Sequence, residues 1–180
     1  WVRCSTLPAE AIGPELFGVE TPPGAAPRPG ALERADGGTL FLHAVDALPP
    51  AAQIQLLRFL QERAFERTGG ARTVTGDVRL VAATDADLGA LVREGRFRAD
   101  LHQRLGVVRI ALPPLRERRE DLPLLVEALV RELNREHGRE APGITRGVLE
   151  RMNHYAWPGN IAELRSVLEG MIVVSGGALA

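Results

Sequence analysis

The chain has 180 residues, of which 45% are hydrophobic and 25% are charged, and this composition favours a folded protein with a substantial core. The formal net charge is −1 and acids are interleaved with arginines, which argues against direct nucleic-acid binding by this segment. The single cysteine, Cys4, excludes an internal disulfide, and no apolar run reaches membrane-spanning length. We therefore expect a cytoplasmic protein without a membrane partner.

The sequence begins with candidate strands separated by a bend-rich segment. Residues 1–4 predict a short strand, and residues 40–45 form a continuous apolar run that predicts a strand buried on both faces. Between them, residues 21–30 are rich in Pro, Gly and Ala, which excludes a regular helix or a central strand.

Helices and strands then alternate. Pro49-Pro50 predicts the start of a helix whose outward face includes Gln53 and whose inward positions are Ile54, Leu57 and Leu60. Further strands are predicted at residues 77–84 and 107–110, and further short helices at 88–94 and 98–105. Strands that alternate with helices indicate a parallel α/β sheet.

Beyond residue 115 the pattern indicates helices only. An amphipathic face covers residues 122–133, and a second helix is predicted at 144–155. Asn160 and Glu163 have the spacing of an N-terminal capping pair and precede a third apolar stripe. We therefore predict an α/β core at residues 1–115 and a helical subdomain at residues 116–180.

Two absences bear on chemistry. All 22 basic residues are arginines, so the sequence cannot contain the phosphate-binding loop G-x-x-x-x-G-K-[ST]. Many nucleotide hydrolases end a buried strand in two acids, which hold magnesium and orient the attacking water. Here the strand at residues 40–45 ends in His43 and Ala44, and neither side chain replaces a carboxylate.

Seven segments together resemble, in the same order, the AAA+ domain of sigma-54-dependent transcription activators, the bacterial enhancer-binding proteins. They are ELFG at 15–18, ADGGTLFL at 35–42, QLLRFLQE at 55–62, VRLVAAT at 78–84, FRADL at 97–101, LPPLRER at 112–118 and WPGNI at 157–161. The resemblance implies a P-loop-type three-layer sandwich with a parallel sheet, followed by a small all-α lid. It also implies a ring-forming ATPase that uses ATP and magnesium to remodel sigma-54 RNA polymerase.

The resemblance also assigns positions, and most of them lack the family's chemistry. The two Walker B acids fall at His43 and Ala44, the sensor I residue at Asp85 and the sensor II arginine at Ala162. The family's sigma-contacting loop, Gly-Ala-Phe-Thr-Gly-Ala, is replaced by the proline-rich residues 21–30. We therefore predict no intact catalytic residues, no bound cofactor and no metal site.

Two positions keep the family's residue type. Arg98 and Arg104 match the arginines that reach a neighbour's nucleotide across the ring interface. They could equally be surface arginines paired with Asp100 or Glu94, which would contribute only about 0–1 kcal/mol. Two further readings concern carboxylates: Asp46 could enter the site after a register shift, and Asp85 could cap the next helix.

The family's phosphate-loop strand is central in a five-stranded sheet and is implied to lie upstream of Trp1, so we expect at most four strands here. The leading hypothesis is that the chain is a degenerate AAA+ module without ATPase activity of its own. It would act as an interaction or regulatory domain in bacterial transcription control. Its expected partners are other AAA+ protomers, regulatory domains and sigma-54 RNA polymerase. One alternative is an ATP-binding subunit whose phosphate loop lies upstream; another is a mixed-ring partner that donates Arg98 and Arg104.

Overall fold

The computed structural model describes residues 1–22, 25–141 and 143–174. The chain forms two compact units, Trp1–Arg109 and Ile110–Ala180. The strands, all in the first unit, are β1 (Val2–Arg3), β2 (Thr39–His43), β3 (Ala64–Glu66), β4 (Thr73–Thr75) and β5 (Arg79–Ala83). The helices of the first unit are α1 (Ala9–Phe17), α2 (Ala31–Arg34), α3 (Pro50–Glu62), α4 (Leu88–Arg93) and α5 (Ala99–Leu105).

A parallel sheet in the order β1-β2-β5 organises the first unit, and β3 and β4 form a separate antiparallel pair. Within the described residues the parallel sheet has three strands, which agrees with the expected maximum of four. Leu40 and Leu42 of β2 are buried in one core that also includes residues of α1, α3 and α5. The α/β fold class is therefore confirmed.

The opposite face of this sheet is open. Phe41 and Val81 are direct partners in the β2–β5 register, and they are 37% and 38% exposed. The prediction that residues 40–45 are buried on both faces is therefore wrong for β2. Parallel sheets are normally covered on both faces, and here the described residues cover only the Leu40 and Leu42 side fully.

The strand predicted at residues 107–110 is also absent. Val107, Val108 and Ile110 lie outside any strand and are highly exposed. An apolar run becomes a strand only where a neighbouring strand pairs with its backbone, and β5 pairs only with β2 among the described residues. The local pattern was suitable for a strand, but the partner that would complete it is not present in this part of the chain.

The orientation of α3 reverses one prediction. Gln53 is only 1% exposed, whereas Ile54 is 52% exposed. Leu57 is buried as predicted, and Leu56 and Phe59 are buried with it. The reversal is possible because backbone groups satisfy the Gln53 amide, so the buried side chain leaves no polar atom unpaired.

The second unit contains α6 (Leu122–His137), α7 (Arg146–His154) and α8 (Asn160–Val174) around their own core. The predicted amphipathic face of α6 is confirmed, and Gly138 ends the helix in the left-handed conformation. The predicted capping pair is wrong: Asn160 Oδ1 accepts from the Leu115 amide at 2.9 Å, whereas Glu163 accepts from the Gly159 amide at 2.7 Å.

Candidate functional site

The strand end that carries the Walker B positions is well defined. His43 pairs in register with Arg3 on one side and Ala83 on the other. Ala44 follows in the left-handed region, with φ 57° and ψ 55°, and a single 3-10 turn covers Val45–Ala47. The carboxyl ends of parallel strands are where α/β sheets bind ligands, so His43 and Ala44 occupy the expected location.

His43 supplies no obvious metal ligand set at this location. Its Nδ1 atom is buried and has no hydrogen-bond partner in the structure. Within residues 1–22, 25–141 and 143–174, no group of three or more His, Cys, Asp or Glu side chains is arranged to hold a metal ion. The residues present at the strand end therefore do not fit the magnesium that the family uses.

The Asp46 carboxylate, in the turn after β2, lies near the same strand ends. Thr84 Oγ1, which follows β5, donates to Asp46 Oδ1 at 2.5 Å and accepts from the Ala86 amide at 3.0 Å.

Burial, with a contribution from the Asp46 charge, raises the pKa of the Cys4 thiol to about 11. Cys4 is therefore a neutral thiol near pH 7 and not a thiolate ligand or nucleophile.

Asp85, at the sensor I position, is exposed and does not cap the next helix. Asp87 is the N-cap of α4: its carboxylate accepts from the Gly89 amide at 2.8 Å and from the Ala90 amide at 3.2 Å. These hydrogen bonds from Ala90 and Gly89 lower the pKa of Asp87. The prediction of a cap at Asp85 is wrong because Asp87, and not Asp85, directly precedes the first helical residue.

Ala162, at the sensor II position, lies near the start of α8 and is exposed. Its methyl group offers no hydrogen-bond donor and no positive charge. The sensor II position in the second unit therefore cannot contact a phosphate through its side chain.

Arg98 and Arg104, which match the family's intersubunit arginines and are called the finger-like arginines below, have different environments. Arg98 directly precedes α5, and its guanidinium forms a two-point contact with Asp100, at 3.0 Å from Nε to Oδ1 and 2.7 Å from Nη2 to Oδ2. The hydrogen bonds from the Arg98 guanidinium lower the pKa of the Asp100 carboxyl group. Arg104 Nη2 instead donates to the Leu60 carbonyl at 3.1 Å. Pairing with Asp100 therefore holds for Arg98, whereas Arg104 is tethered to the end of α3.

The base of the proline-rich segment is a tight stem. Val19 and Arg28 form an antiparallel bridge, with amide-to-carbonyl distances of 2.9 and 3.0 Å. Gly18 and Gly30 make this possible, because a Cβ on Gly18 would lie 2.5 Å from the Arg28 carbonyl oxygen and a Cβ on Gly30 would lie 2.3 Å from the Gly18 nitrogen. The described residues of 21–30 contain no helix, as predicted, and Pro23 and Gly24 lie outside the described residues.

An arginine that sequence reasoning missed fastens this stem. Arg67 donates to Glu33 from Nε at 2.9 Å and from Nη2 at 2.6 Å, and to Glu20 from Nη1 at 3.3 Å. The Arg67 side chain is 11% exposed and that of Glu33 is 15% exposed. The hydrogen bond from Arg67 lowers the pKa of Glu33. The adjacent Thr68 exchanges backbone hydrogen bonds with Gly18 and Glu20, so the stem and the β3–β4 hairpin are held together.

Comparison with known proteins agrees with this geometry. The model of the AAA+ ATPase lid domain matches residues 116–179, and the model of the Sigma-54 interaction domain matches residues 1–111. The parallel sheet and helical lid thus define an AAA+ protein. The chain belongs to the sigma-54 interaction domain family.

The relatives are bacterial transcription regulators. The chain is 48% identical over 177 residues to the transcriptional regulatory protein XylR of Pseudomonas putida, covering 97% of this chain and 31% of that protein. It is 43% identical over 181 residues to the regulatory protein AtoC of Escherichia coli, covering 99% of this chain and 39% of that protein. The chain thus spans about a third of the length of these relatives.

A solved structure supports the fold. The crystal structure of NtrX from Brucella abortus matches with a TM-score of 0.89 and 37% identity, over 98% of this chain and 40% of that one. A further crystal structure of the same protein, in complex with ATP, matches with a TM-score of 0.88 and 36% identity. The AAA+ fold and the family resemblance are therefore confirmed. In the part of the chain that the structure describes, no helix combines the length and apolarity that a membrane crossing requires.

Proposed function

We propose that this AAA+ module acts in sigma-54-dependent transcription control through contacts with other protein chains and does not hydrolyse ATP itself. The observation that carries the proposal is the end of β2, where His43 and a left-handed Ala44 occupy the positions of the metal-binding and water-activating acids. The carboxylate that does approach these strand ends, Asp46, accepts a hydrogen bond from Thr84.

A further feature supports the proposal. Asp85 places a carboxylate where the resemblance implies a neutral polar side chain. An anion at that position repels a triphosphate, whereas an amide would donate a hydrogen bond to it. As a working division we take residues 1–115 as the α/β core and 116–180 as the lid, and we propose a cytoplasmic location.

The proposed partners are AAA+ protomers, regulatory domains and the sigma-54 RNA polymerase holoenzyme. The stem formed by Val19 and Arg28 presents the proline-rich segment where the resemblance places the sigma-contacting loop. Because this segment lacks the Phe and Thr of that loop, we assign the polymerase contact less weight than contacts with other protomers.

The direct test is titration calorimetry with ATP and magnesium, combined with a phosphate-release assay. We expect neither micromolar binding nor measurable turnover. The matched variant His43→Asp with Ala44→Glu places two acids at the end of β2, and turnover gained by this variant alone would support the role given to the missing acids. Micromolar binding with turnover by the unaltered chain would overturn the proposal and favour an ATP-binding subunit, in line with the ATP complex of NtrX.

A second candidate function is that of an arginine donor in a mixed ring. Arg98 is exposed, is held at the start of α5 and presents a planar guanidinium, the group that best stabilises charge on a transferring phosphoryl group. Arg104 lies on the same short helix. In this candidate the chain completes the nucleotide site of a hydrolysing AAA+ neighbour.

Replacing Arg98 and Arg104 with alanine tests the second candidate. We expect the ATP turnover of a hydrolysing partner protomer, assayed with an excess of this chain, to fall by about tenfold or more. Arg96→Ala is the matched control, since Arg96 is exposed and pairs with Glu94 at 3.3 Å but is not at a finger position. Equal turnover with the unaltered chain and the double variant would remove this candidate.

A further inference from the structure

Gln53 is a buried polar residue whose amide is fully occupied by three main-chain groups. Its Nε2 atom donates to the Leu48 carbonyl at 2.8 Å and to the Arg96 carbonyl at 3.1 Å, while its Oε1 atom accepts from the Arg98 amide at 2.9 Å. Both N–H donors and the carbonyl are therefore used. Such a complete set of bonds fixes the amide in one orientation.

These hydrogen bonds connect two functional parts of the first unit. Leu48 directly follows the 3-10 turn that leaves the end of β2, where Ala44 and Asp46 lie. Arg96 and Arg98 flank the buried Phe97 and lead into α5. Gln53 thus joins the turn after the Walker B positions to the main chain of the finger-like arginine.

The main chain of Arg98 is held on both sides, by Gln53 at its amide and by α5 at its carbonyl, which accepts from the His102 amide at 3.0 Å. Arg98 is the N-cap of α5, but its own side chain does not cap the helix; the Asp100 carboxylate instead accepts from the Leu101 amide at 2.8 Å. The Arg98 backbone is extended, with φ −74° and ψ 133°, and its amide is bonded to Gln53. The guanidinium is then directed by the two-point contact with Asp100. Gln53 therefore fixes the backbone of Arg98, and Asp100 fixes the position of its guanidinium.

We propose that Gln53 is a positioning residue for Arg98: it holds the Arg98 main chain so that the guanidinium faces a nucleotide triphosphate bound by a neighbouring protomer. The proposal rests on the arginine-donor function given above. It assigns a role to a residue that makes no contact with the nucleotide. It also predicts that movement of the turn after β2 is transmitted to Arg98 through a single side chain.

A double-mutant cycle separates positioning from a merely structural role. Gln53→Met keeps the length of the side chain but removes all three hydrogen bonds. In the otherwise unaltered chain we expect it to lower the partner's ATP turnover by about five- to thirtyfold. In a chain that already carries Arg98→Ala we expect Gln53→Met to cause no further loss, because the residue being positioned is gone. Gln61→Met, the same change at an exposed position of α3, is the control and should leave turnover unchanged.

The outcomes are distinguishable. Equal losses from Gln53→Met in both backgrounds would show a structural role only and overturn the proposal. A loss with Arg98→Ala but none with Gln53→Met would overturn it while the arginine-donor function stands. No loss with Arg98→Ala alone would overturn this proposal, and no loss with the Arg98→Ala, Arg104→Ala double variant would overturn the arginine-donor function as well. If circular dichroism shows that Gln53→Met does not fold, Gln53→Asn replaces it, because its shorter side chain keeps an amide in the buried site but cannot reach all three main-chain groups, and the same criteria apply with a smaller expected loss.

Discussion

Replacing Trp157 with alanine is expected to lower the free energy of unfolding of the second unit by about 3–5 kcal/mol. The indole is 3% exposed, and its Nε1–H donates to the Met152 carbonyl at 2.9 Å. It also packs edge-to-face against Tyr155, with ring centroids 5.0 Å apart. Alanine removes the packing and the indole hydrogen bond together, and the Met152 carbonyl keeps only the bond from the Tyr155 amide at 3.2 Å.

Trp157→Phe is the matched variant for this prediction. Phenylalanine keeps an aromatic ring but lacks the N–H, so its cost should be smaller, about 1–3 kcal/mol, from the lost indole hydrogen bond and the smaller ring. Urea unfolding measures the totals, and hydrogen exchange of amides in α6 and α8 assigns them to the second unit. An alanine variant within 1 kcal/mol of the unaltered chain would contradict the packing role given to the indole.

Replacing Arg67 with methionine is expected to destabilise the first unit by about 2–4 kcal/mol. The change leaves Glu33 and Glu20 without the cation that both contact, and Glu33 is mostly buried. Arg58→Met is the matched control: Arg58 also contacts two glutamates, Glu62 and Glu66, but at an exposed site where the pairs contribute little. Similar losses of unfolding free energy in the two variants would contradict the larger stabilisation expected from Arg67.

The Arg67 effect should also depend on pH. Arg67 lowers the pKa of Glu33 below its ordinary value of 4.5. A carboxyl whose folded-state pKa is lowered stabilises the fold above its unfolded-state pKa, and this contribution disappears as the pH falls through the folded-state pKa. We therefore expect the stability difference between the unaltered chain and Arg67→Met to be full at pH 7 and to shrink in acid. A difference that grows in acid would contradict the ion pair.

Local patterns predicted the elements whose stability depends on their own periodicity. The apolar run at residues 40–45 predicted the strand β2, although not its one-sided burial, and the apolar stripe of α6 is found as expected. The errors arose where a distant partner decides the outcome. Gln53 faces inward because it meets carbonyl and amide groups 43 and 45 residues further along, and no window of α3 contains that information.

The same reasoning explains the candidate site. Alignment of motifs assigned His43, Ala44, Asp85, Ala162, Arg98 and Arg104 to their positions, but it gave no contacts between them. The bond from Thr84 to Asp46 and the clamp of Arg67 on Glu33 join residues 38 and 34 positions apart. The run at 107–110 failed as a strand for a related reason: its sequence suits a strand, whereas pairing requires a neighbour.

The left-handed conformation of Ala44 has a consequence for the evolution of this strand end. The left-handed conformation costs about 1–2 kcal/mol for a residue with a Cβ, and the alanine side chain does not offset this cost. The turn is maintained by its surroundings, including the Ala47 amide, which donates to the Ala44 carbonyl at 3.0 Å. A carboxylate introduced at position 44 would therefore enter a turn that already exists. Placing two acids at this strand end requires substitutions of side chain only.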